Sequence, residues 1–137
     1  MGTTQQAPRD LIDAALAARD KAYAPYSKFH VGAALRTGNG QIIAGCNVEN
    51  AAYPEGVCAE AGAISAMVLS GETTFDEIVV VGLGDAACTP CGGCRQKIRE
   101  FTGPDATIFI INDQGETLLT LTREALIPHS FGPENLK

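Results

Sequence analysis

Five cysteines stand in the chain, Cys46, Cys58, Cys88, Cys91 and Cys94, and the last three fall within seven residues. Pro90-Cys-Gly-Gly-Cys94 carries a Cys-x-x-Cys pair, which reads either as half of a metal site or as a redox dithiol. The dithiol reading needs a thioredoxin-like order of elements around the pair, and the flanking pattern does not supply one. A metal needs further ligands, and Cys58 fits because it too opens a segment with helical patterning. The free N–H groups and the positive dipole end at a helix start stabilise thiolates. Three protein ligands with an open fourth position describe a catalytic zinc, whereas structural zinc sites are usually closed by four. Cys46 or Cys88 could close the site, Cys88 being the stronger challenger at three residues before Cys91.

Glu60 is hard to explain under a closed site, because it is the only charged residue between Cys58 and Leu69. A lone buried carboxylate is expensive unless it has a partner or a task. Residues two apart on a helix do not share a face. At the first turn, however, Cys58 and Glu60 can both reach a metal lying in front of the helix end. There the glutamate can move protons between an activated water and a substrate.

The elements that must position these residues follow from periodicity and turn chemistry. Asp10 to Tyr23 has helical spacing, and Tyr23-Ala-Pro-Tyr-Ser27 breaks it. Phe29 to Leu35 and Gln41 to Val48 read as strands of a hairpin around Thr37-Gly-Asn-Gly40. Glu49 to Val57 is a loop, and Cys58 to Leu69 is a helix stopped by Gly71. That helix is apolar nearly all round and asks to be covered on several sides, which suggests a subunit interface. Glu77 to Leu83 and Ala106 to Ile111 are apolar runs of the kind found in interior strands, with a helix from Cys91 to Phe101 between them. Asn112-Asp-Gln-Gly115 turns the chain into an antiparallel strand, Thr117 to Leu121, followed by a short helix, Arg123 to Leu126. The expected fold is α/β: a three-layer α/β/α sandwich around a mixed five-stranded sheet, formed by residues 1–137 as a single domain.

Composition narrows the partners. Ten basic and sixteen acidic residues leave a net charge of −6, with no Lys/Arg cluster to neutralise phosphates, so a polynucleotide partner is not expected. No apolar run approaches a bilayer-spanning length, and Met1 to Asp10 is polar where a secretory signal would be apolar. A cytoplasmic protein with no membrane partner is expected. An odd cysteine count without an export signal argues against a disulfide framework. His30 and His129, the sole histidines, read as surface or strand residues, and Cys46 as a small core residue within a strand.

Cys58-Ala-Glu60 followed by Pro90-Cys-Gly-Gly-Cys94 resembles the zinc deaminase signature. Within that group the chain resembles the small homotetrameric cytidine deaminases with three cysteine ligands. Further landmarks are Tyr23-Ala-Pro-Tyr-Ser-Lys-Phe-His-Val-Gly-Ala-Ala34, Gly45-Cys-Asn-Val-Glu-Asn-Ala-Ala-Tyr53 and Phe131-Gly-Pro-Glu-Asn-Leu136. The likeness runs from about Asp10 to Leu136, nearly the whole chain.

The resemblance implies one zinc ion per subunit on Cys58, Cys91 and Cys94, with Glu60 as the catalytic residue. It implies that Phe29 stacks near the pyrimidine, that Asn47 and Glu49 hold the ribose hydroxyls, and that Asn50, Ala51 and Tyr53 line the pocket. Ala59 would offer its backbone to the ring edge, and Phe131 would reach a neighbouring subunit's site. The bland alternatives are core packing for Phe29 and Phe131, and turn chemistry for Asn47 and Glu49. The implied reaction is hydrolytic deamination of free cytidine and deoxycytidine, in pyrimidine salvage, with zinc-activated hydroxide attacking C4 and Glu60 shuttling protons. One departure stands out: many relatives carry Arg directly after the glutamate, and this chain has Ala61. Arg95 remains as a candidate donor to the thiolates. Three rivals stay open: a deaminase of an aminoglycosyl-cytosine, a polynucleotide editor, and a non-enzymatic zinc module.

Overall fold

The computed structural model describes residues 5–136. The expectation about a polar N-terminus therefore falls partly on residues 1–4, which lie outside the described residues. The chain runs α1 (Arg9–Arg19), β1 (Gly32–Thr37), β2 (Ile42–Cys46), α2 (Ala59–Leu69), β3 (Phe75–Val81), α3 (Gly92–Glu100), β4 (Thr107–Ile111), β5 (Thr117–Thr122) and α4 (Arg123–Leu126). Short 3₁₀ turns lie at Tyr53–Glu55 and Pro133–Leu136.

Five strands make one sheet in the order β2-β1-β3-β4-β5. The β1–β2 hairpin closes where sequence placed it: Thr37 N–H donates to the Gln41 carbonyl at 2.8 Å, and Gly40 N–H to Thr37 at 2.9 Å. β3 and β4 are parallel, linked through α3, and all other neighbours are antiparallel, so the sheet is mixed as expected.

Alternating side chains on the inner strands fill two cores. Ala34, Val79, Val81, Phe109 and Ile111 face α1, where they meet Leu11, Ile12 and Ala15. Leu35, Ile78, Val80, Ile108 and Ile110 face the other way, against Ala63, Ile64 and Met67 of α2, Ile98 of α3 and Leu126 of α4. The three-layer α/β/α arrangement is thus observed, with α1 alone on one side. Each fully buried Val, Leu, Ile, Phe or Met side chain stabilises the fold by about 1.5–3 kcal/mol.

Strand register decides where the chemistry can sit. Gly32 opens β1 beside Cys46, the end of β2, and beside Val81, the end of β3; Val81 in turn pairs with Ile111, the end of β4. Three strands therefore finish at one edge of the sheet, and the segments leaving β2 and β3 there lead into α2 and α3. Parallel α/β sheets bind ligands at such carboxyl ends. α2 is also seated tightly: a Cβ on Gly45 would lie 2.4 Å from the Ala63 nitrogen and 2.6 Å from the Ala59 carbonyl oxygen. Glycine at this position lets the helix rest on the strand backbone.

Several boundaries differ from the sequence reading: β2 ends at Cys46 rather than Val48, and β3 spans Phe75–Val81 rather than Glu77 to Leu83. α1 ends at Arg19, short of Tyr23, because Lys21 and Ala22 continue only in tight turns, donating to Ala18 and Arg19. β1 begins at Gly32, so Phe29 lies in a loop. There Lys28 has φ 63°, and the Asn47 side chain holds Phe29 and Val31 in place of a ladder partner.

Candidate active site

Cys58 and Cys91 are the N-cap residues of α2 and α3, and Cys94 lies in the first turn of α3. The sulfurs of Cys58, Cys91 and Cys94 all lie within 4.8 Å of one another. Three thiolates on a tetrahedral zinc, with Zn–S bonds near 2.3 Å, sit about 3.8 Å apart, a separation within that bound, so the cluster fits the ion. Among the described residues, Cys46 and Cys88 are outside this cluster, as are both histidines. The donor set is therefore three sulfurs.

Electrostatics fit a cation. The Cys94 N–H, then the neighbouring Cys94 and Cys58 thiols and last the Gly93 N–H, hold the Cys91 thiol below its ordinary value against the effect of burial. Burial pushes the thiols of Cys58 and Cys94 up. Three thiolates at neutral pH therefore call for a metal, which deprotonates coordinating thiols outright. Soft sulfur donors in this number suit zinc.

Glu60 is 4% exposed and, together with Cys58, Cys91 and Asn47, lines a cavity of about 170 Å³. Burial pushes its carboxyl above the ordinary glutamate range; its own N–H and the Lys97 ammonium oppose this. A carboxylate tuned toward neutrality beside a metal cradle is suited to taking and returning a proton.

The expected substrate residues fall in two groups. Asn47 and Ala59 line the cavity with Glu60. Glu49, Asn50 and Tyr53 line a second concavity of about 350 Å³, with Tyr26 and Ser27. Asn47 Oδ1 accepts from Val31 N–H at 2.8 Å, and its amide donates to the Phe29 carbonyl at 2.9 Å. Glu49 accepts from the N–H groups of Tyr26 at 2.9 Å and Ser27 at 3.1 Å, and from the Ser27 hydroxyl. A carboxylate offers about four acceptor sites, so capacity for a further hydroxyl remains. Asn50 closes a local turn by accepting from Ala52 N–H, and Ala51 is exposed beside it. Tyr53 is exposed, its ring 6.1 Å from that of Tyr26 in an edge-on arrangement.

Phe29 is exposed rather than packed in the core. Phe131 is 56% exposed and does not line its own chain's cavity. Core packing is thereby removed as the alternative for both. Arg95 departs from expectation: its Nε donates to the Pro90 carbonyl at 2.8 Å and a terminal nitrogen to Leu126 at 2.9 Å. The guanidinium thereby ties the segment before Cys91 to the end of α4. Sequence reasoning placed Cys88 as a rival ligand; it is instead a wall residue of the cavity. It also missed Lys97, whose charge favours the ionised form of Glu60, and Arg19, which ties α1 to the end of β3 through the Gly82 carbonyl at 3.1 Å.

Sulfur donors at two helix starts, with a buried carboxylate beside them, place the chain among zinc-dependent deaminases. A family model described as "Cytidine and deoxycytidylate deaminase zinc-binding region" matches residues 5–111. A cytidine deaminase of Sporosarcina psychrophila is 41% identical over 126 residues, 92% of this chain and 92% of that protein. One from Halalkalibacterium halodurans is 38% identical over 126 residues, covering 92% and 95%. The crystal structure of a cytidine deaminase from Burkholderia pseudomallei superposes with a TM-score of 0.85 at 42% identity, covering 92% of this chain and all of that one. The chain belongs to the cytidine and deoxycytidylate deaminase family, and its three-cysteine cluster is a zinc site.

Proposed function

We propose that this chain hydrolyses free cytidine and deoxycytidine to uridine and deoxyuridine with release of ammonia, as a step of pyrimidine salvage in the cytoplasm. The observation that carries this reading is the buried Glu60 carboxylate, held at the first turn of α2 in a cavity shared with the metal-binding cysteines. Cys58, Cys91 and Cys94 would hold zinc, which would supply Lewis acidity that lowers the pKa of the attacking water. Glu60 takes the proton of the attacking water as its oxygen adds to C4, and gives that proton to N3 of the ring. Glu60 then carries the proton left on the C4 oxygen to the amino nitrogen, so that the C4–N bond breaks, ammonia leaves and C4 becomes a carbonyl. Asn47 and Glu49 accept from the ribose hydroxyls while keeping their hold on residues 26–31, so the sugar site and the Phe29 loop are set together. Asn50, Ala51 and Tyr53 complete the pocket wall, and Phe29 lies against the base. Ala59 presents its backbone to the edge of the ring.

The same reading takes the assembly to be a homotetramer built from copies of this domain. Its support is the outer face of α2, where Leu69 is 89% exposed with Val68 beside it, and the projecting Phe131. Large apolar side chains at such exposure favour burial between copies. Phe131 then completes the pocket of a neighbour. Among the described residues no helix is long and apolar enough to cross a membrane.

The decisive experiment is a panel of nucleosides followed by absorbance and ammonia release. Cytidine and deoxycytidine turn over, while adenosine, a cytosine-containing oligonucleotide and an aminoglycosyl-cytosine do not. Zinc binding without ammonia release from any pyrimidine nucleoside would overturn the reading.

A further inference from the structure

The chain after α4 is fastened to α3 by several side chains. Arg99, on the same helix as Cys94, has a side chain only 11% exposed. Its Nε donates to the Ser130 hydroxyl at 3.0 Å, and a terminal nitrogen pairs with the Glu134 carboxylate. Between these two contacts the backbone lies directly on the guanidinium. A Cβ on Gly132 would fall 2.3–2.5 Å from the guanidinium carbon and both terminal nitrogens. Any larger residue would have to displace Arg99 or lift the backbone. Gln96, three residues earlier on α3, donates its side-chain amide to the Phe131 carbonyl at 2.9 Å. Gly132 N–H donates to Asn135 Oδ1 at 2.8 Å and closes the turn.

Every residue around Phe131 is thus held, while its own ring is 56% exposed. Ordering an irregular surface segment costs conformational entropy, and nothing in the chain's own core is gained by fixing an exposed aromatic ring. The cost is accounted for if the ring has a fixed destination outside its own chain. α3 sets the geometry: its start carries two metal-binding cysteines, Cys91 at the N-cap and Cys94 in the first turn, and its later turns grip the backbone on either side of Phe131.

We propose that Arg99, assisted by Gln96, is a positioning residue that presents Phe131 to the substrate pocket of a second copy. This rests on the reading of Phe131 given above. The contacts act through the backbone at Gly132, so Arg99 itself touches no substrate.

The test compares Arg99→Ala, Gly132→Ala and Phe131→Ala, with the two double variants that contain Phe131→Ala, in the assembled zinc-loaded enzyme. Gly132→Ala substitutes nothing on α3 and only forces the Arg99 guanidinium and the tail backbone apart, so it separates loss of the clamp from damage to α3. Each single variant is expected to raise KM for cytidine about tenfold, with kcat within about twofold and zinc content unchanged. The double variants are expected to be no worse than Phe131→Ala alone, since residues acting through one group do not add. A second readout needs no turnover. The chain contains no tryptophan, so Phe131→Trp reports on this position alone, and its fluorescence anisotropy should fall when Arg99→Ala is added. The clamp is overturned, with the Phe131 reading intact, if both clamp variants keep the parent KM while Phe131→Ala raises it. It is equally overturned by additive losses in the doubles, or by an anisotropy of the Phe131→Trp variant that Arg99→Ala leaves unchanged. If Phe131→Ala itself keeps the parent KM, the reading of Phe131 fails and the clamp proposal falls with it.

Discussion

Cys58 and Cys91 hold equivalent places in two helices. Each is the extended residue immediately before the first turn, at φ −76°, ψ 157° and φ −68°, ψ 169°, and neither side chain caps its own helix. An N-cap side chain normally accepts from the N–H groups of the first turn. Here the two sulfurs meet in front of both helix ends instead, with the first-turn N–H groups of α3 favouring the Cys91 thiolate. Cys94, one turn into α3, completes the set.

That arrangement predicts the metal inventory. Cys58→Ala, Cys91→Ala and Cys94→Ala should each lose zinc, whereas Cys88→Ala should retain it. Metal binding is coupled to folding in such sites, so chelation should lower the melting temperature of the parent. Metal analysis of the purified variants reads the outcome. Loss of zinc from Cys88→Ala with retention by Cys58→Ala would reverse the assignment.

Glu60→Gln should keep zinc and fold while losing about 10²–10⁴ in turnover, the range for a positioned proton-transfer group. Gln is close in size but cannot take the proton of the attacking water. Burial raises the Glu60 carboxyl, so its charged form opposes folding more as pH climbs above 4.5. Zinc-stripped Glu60→Gln should consequently melt no lower than the zinc-stripped parent at neutral pH. Activity within about tenfold of the parent would remove Glu60 from the chemistry.

Most of this site was legible because its signals are local. Two helix starts, each opened by a cysteine, can be read from Cys58-Ala-Glu60 and Cys91-Gly-Gly-Cys94, and Glu60 is conspicuous among apolar neighbours. The inner strands were legible for the same reason, since Ile78 to Val81 and Ile108 to Ile111 are uninterrupted. What was not legible depends on residues far apart in sequence. Arg19 reaches Asp113 and the Gly82 carbonyl, separations of 94 and 63 residues, and nothing near Arg19 announces either. Phe29 has the composition of a strand start. Its backbone is taken instead by Asn47, a side chain on the far side of the hairpin. Arg95 stands beside a thiolate in sequence, yet two carbonyls claim its donors.

Glu49 carries a pH signature. The Ser27 hydroxyl, followed by the backbone N–H groups of Ser27 and Tyr26, holds its carboxyl below the ordinary 4.5. A carboxyl whose folded pKa is depressed contributes stability that is present above the unfolded value and lost as pH falls through the folded one. Glu49→Gln should therefore melt below the parent at neutral pH, and the gap should close as pH drops through and below the ordinary glutamate range. Thermal melts across a pH series measure this. A gap that stays constant down to the acid end would mean the carboxylate charge is not what holds residues 26 and 27. The same variant, and Asn47→Ala, should weaken cytidine binding while leaving zinc in place.

The assembly makes a mixing prediction. Phe131→Ala chains lack the residue offered to a neighbour, and Glu60→Gln chains lack the proton carrier in their own pocket. Co-assembled, a pocket with an intact Glu60 can receive Phe131 from the other variant, so the mixture should exceed the sum of its parts in activity. Light scattering at assay concentration should show a species larger than the 14.3 kDa chain. A fully active monomer would end both the mixing argument and the tetramer.

The seat of α2 on β2 gives the sharpest structural test, because one methyl group is expected to reach the metal. Gly45 lies under Ala59 and Ala63, and an added Cβ would stand 2.4 Å from a backbone nitrogen of the helix. Backbone cannot swing aside as a flexible side chain can, so the whole helix must shift. Overpacking of this kind costs about 1–3 kcal/mol. The displacement has a chemical consequence, since α2 starts at Cys58 and carries Glu60 in its first turn. Gly45→Ala should thus both lower the melting temperature and weaken zinc retention against a chelator. Gly103→Ala is the matched control. Its added Cβ meets nothing within 4 Å, and it should leave melting and zinc retention as in the parent. If Gly45→Ala melts and holds zinc like Gly103→Ala, α2 is not seated on β2 as closely as described, and the fixed separation of Cys58 from Cys91 needs another source.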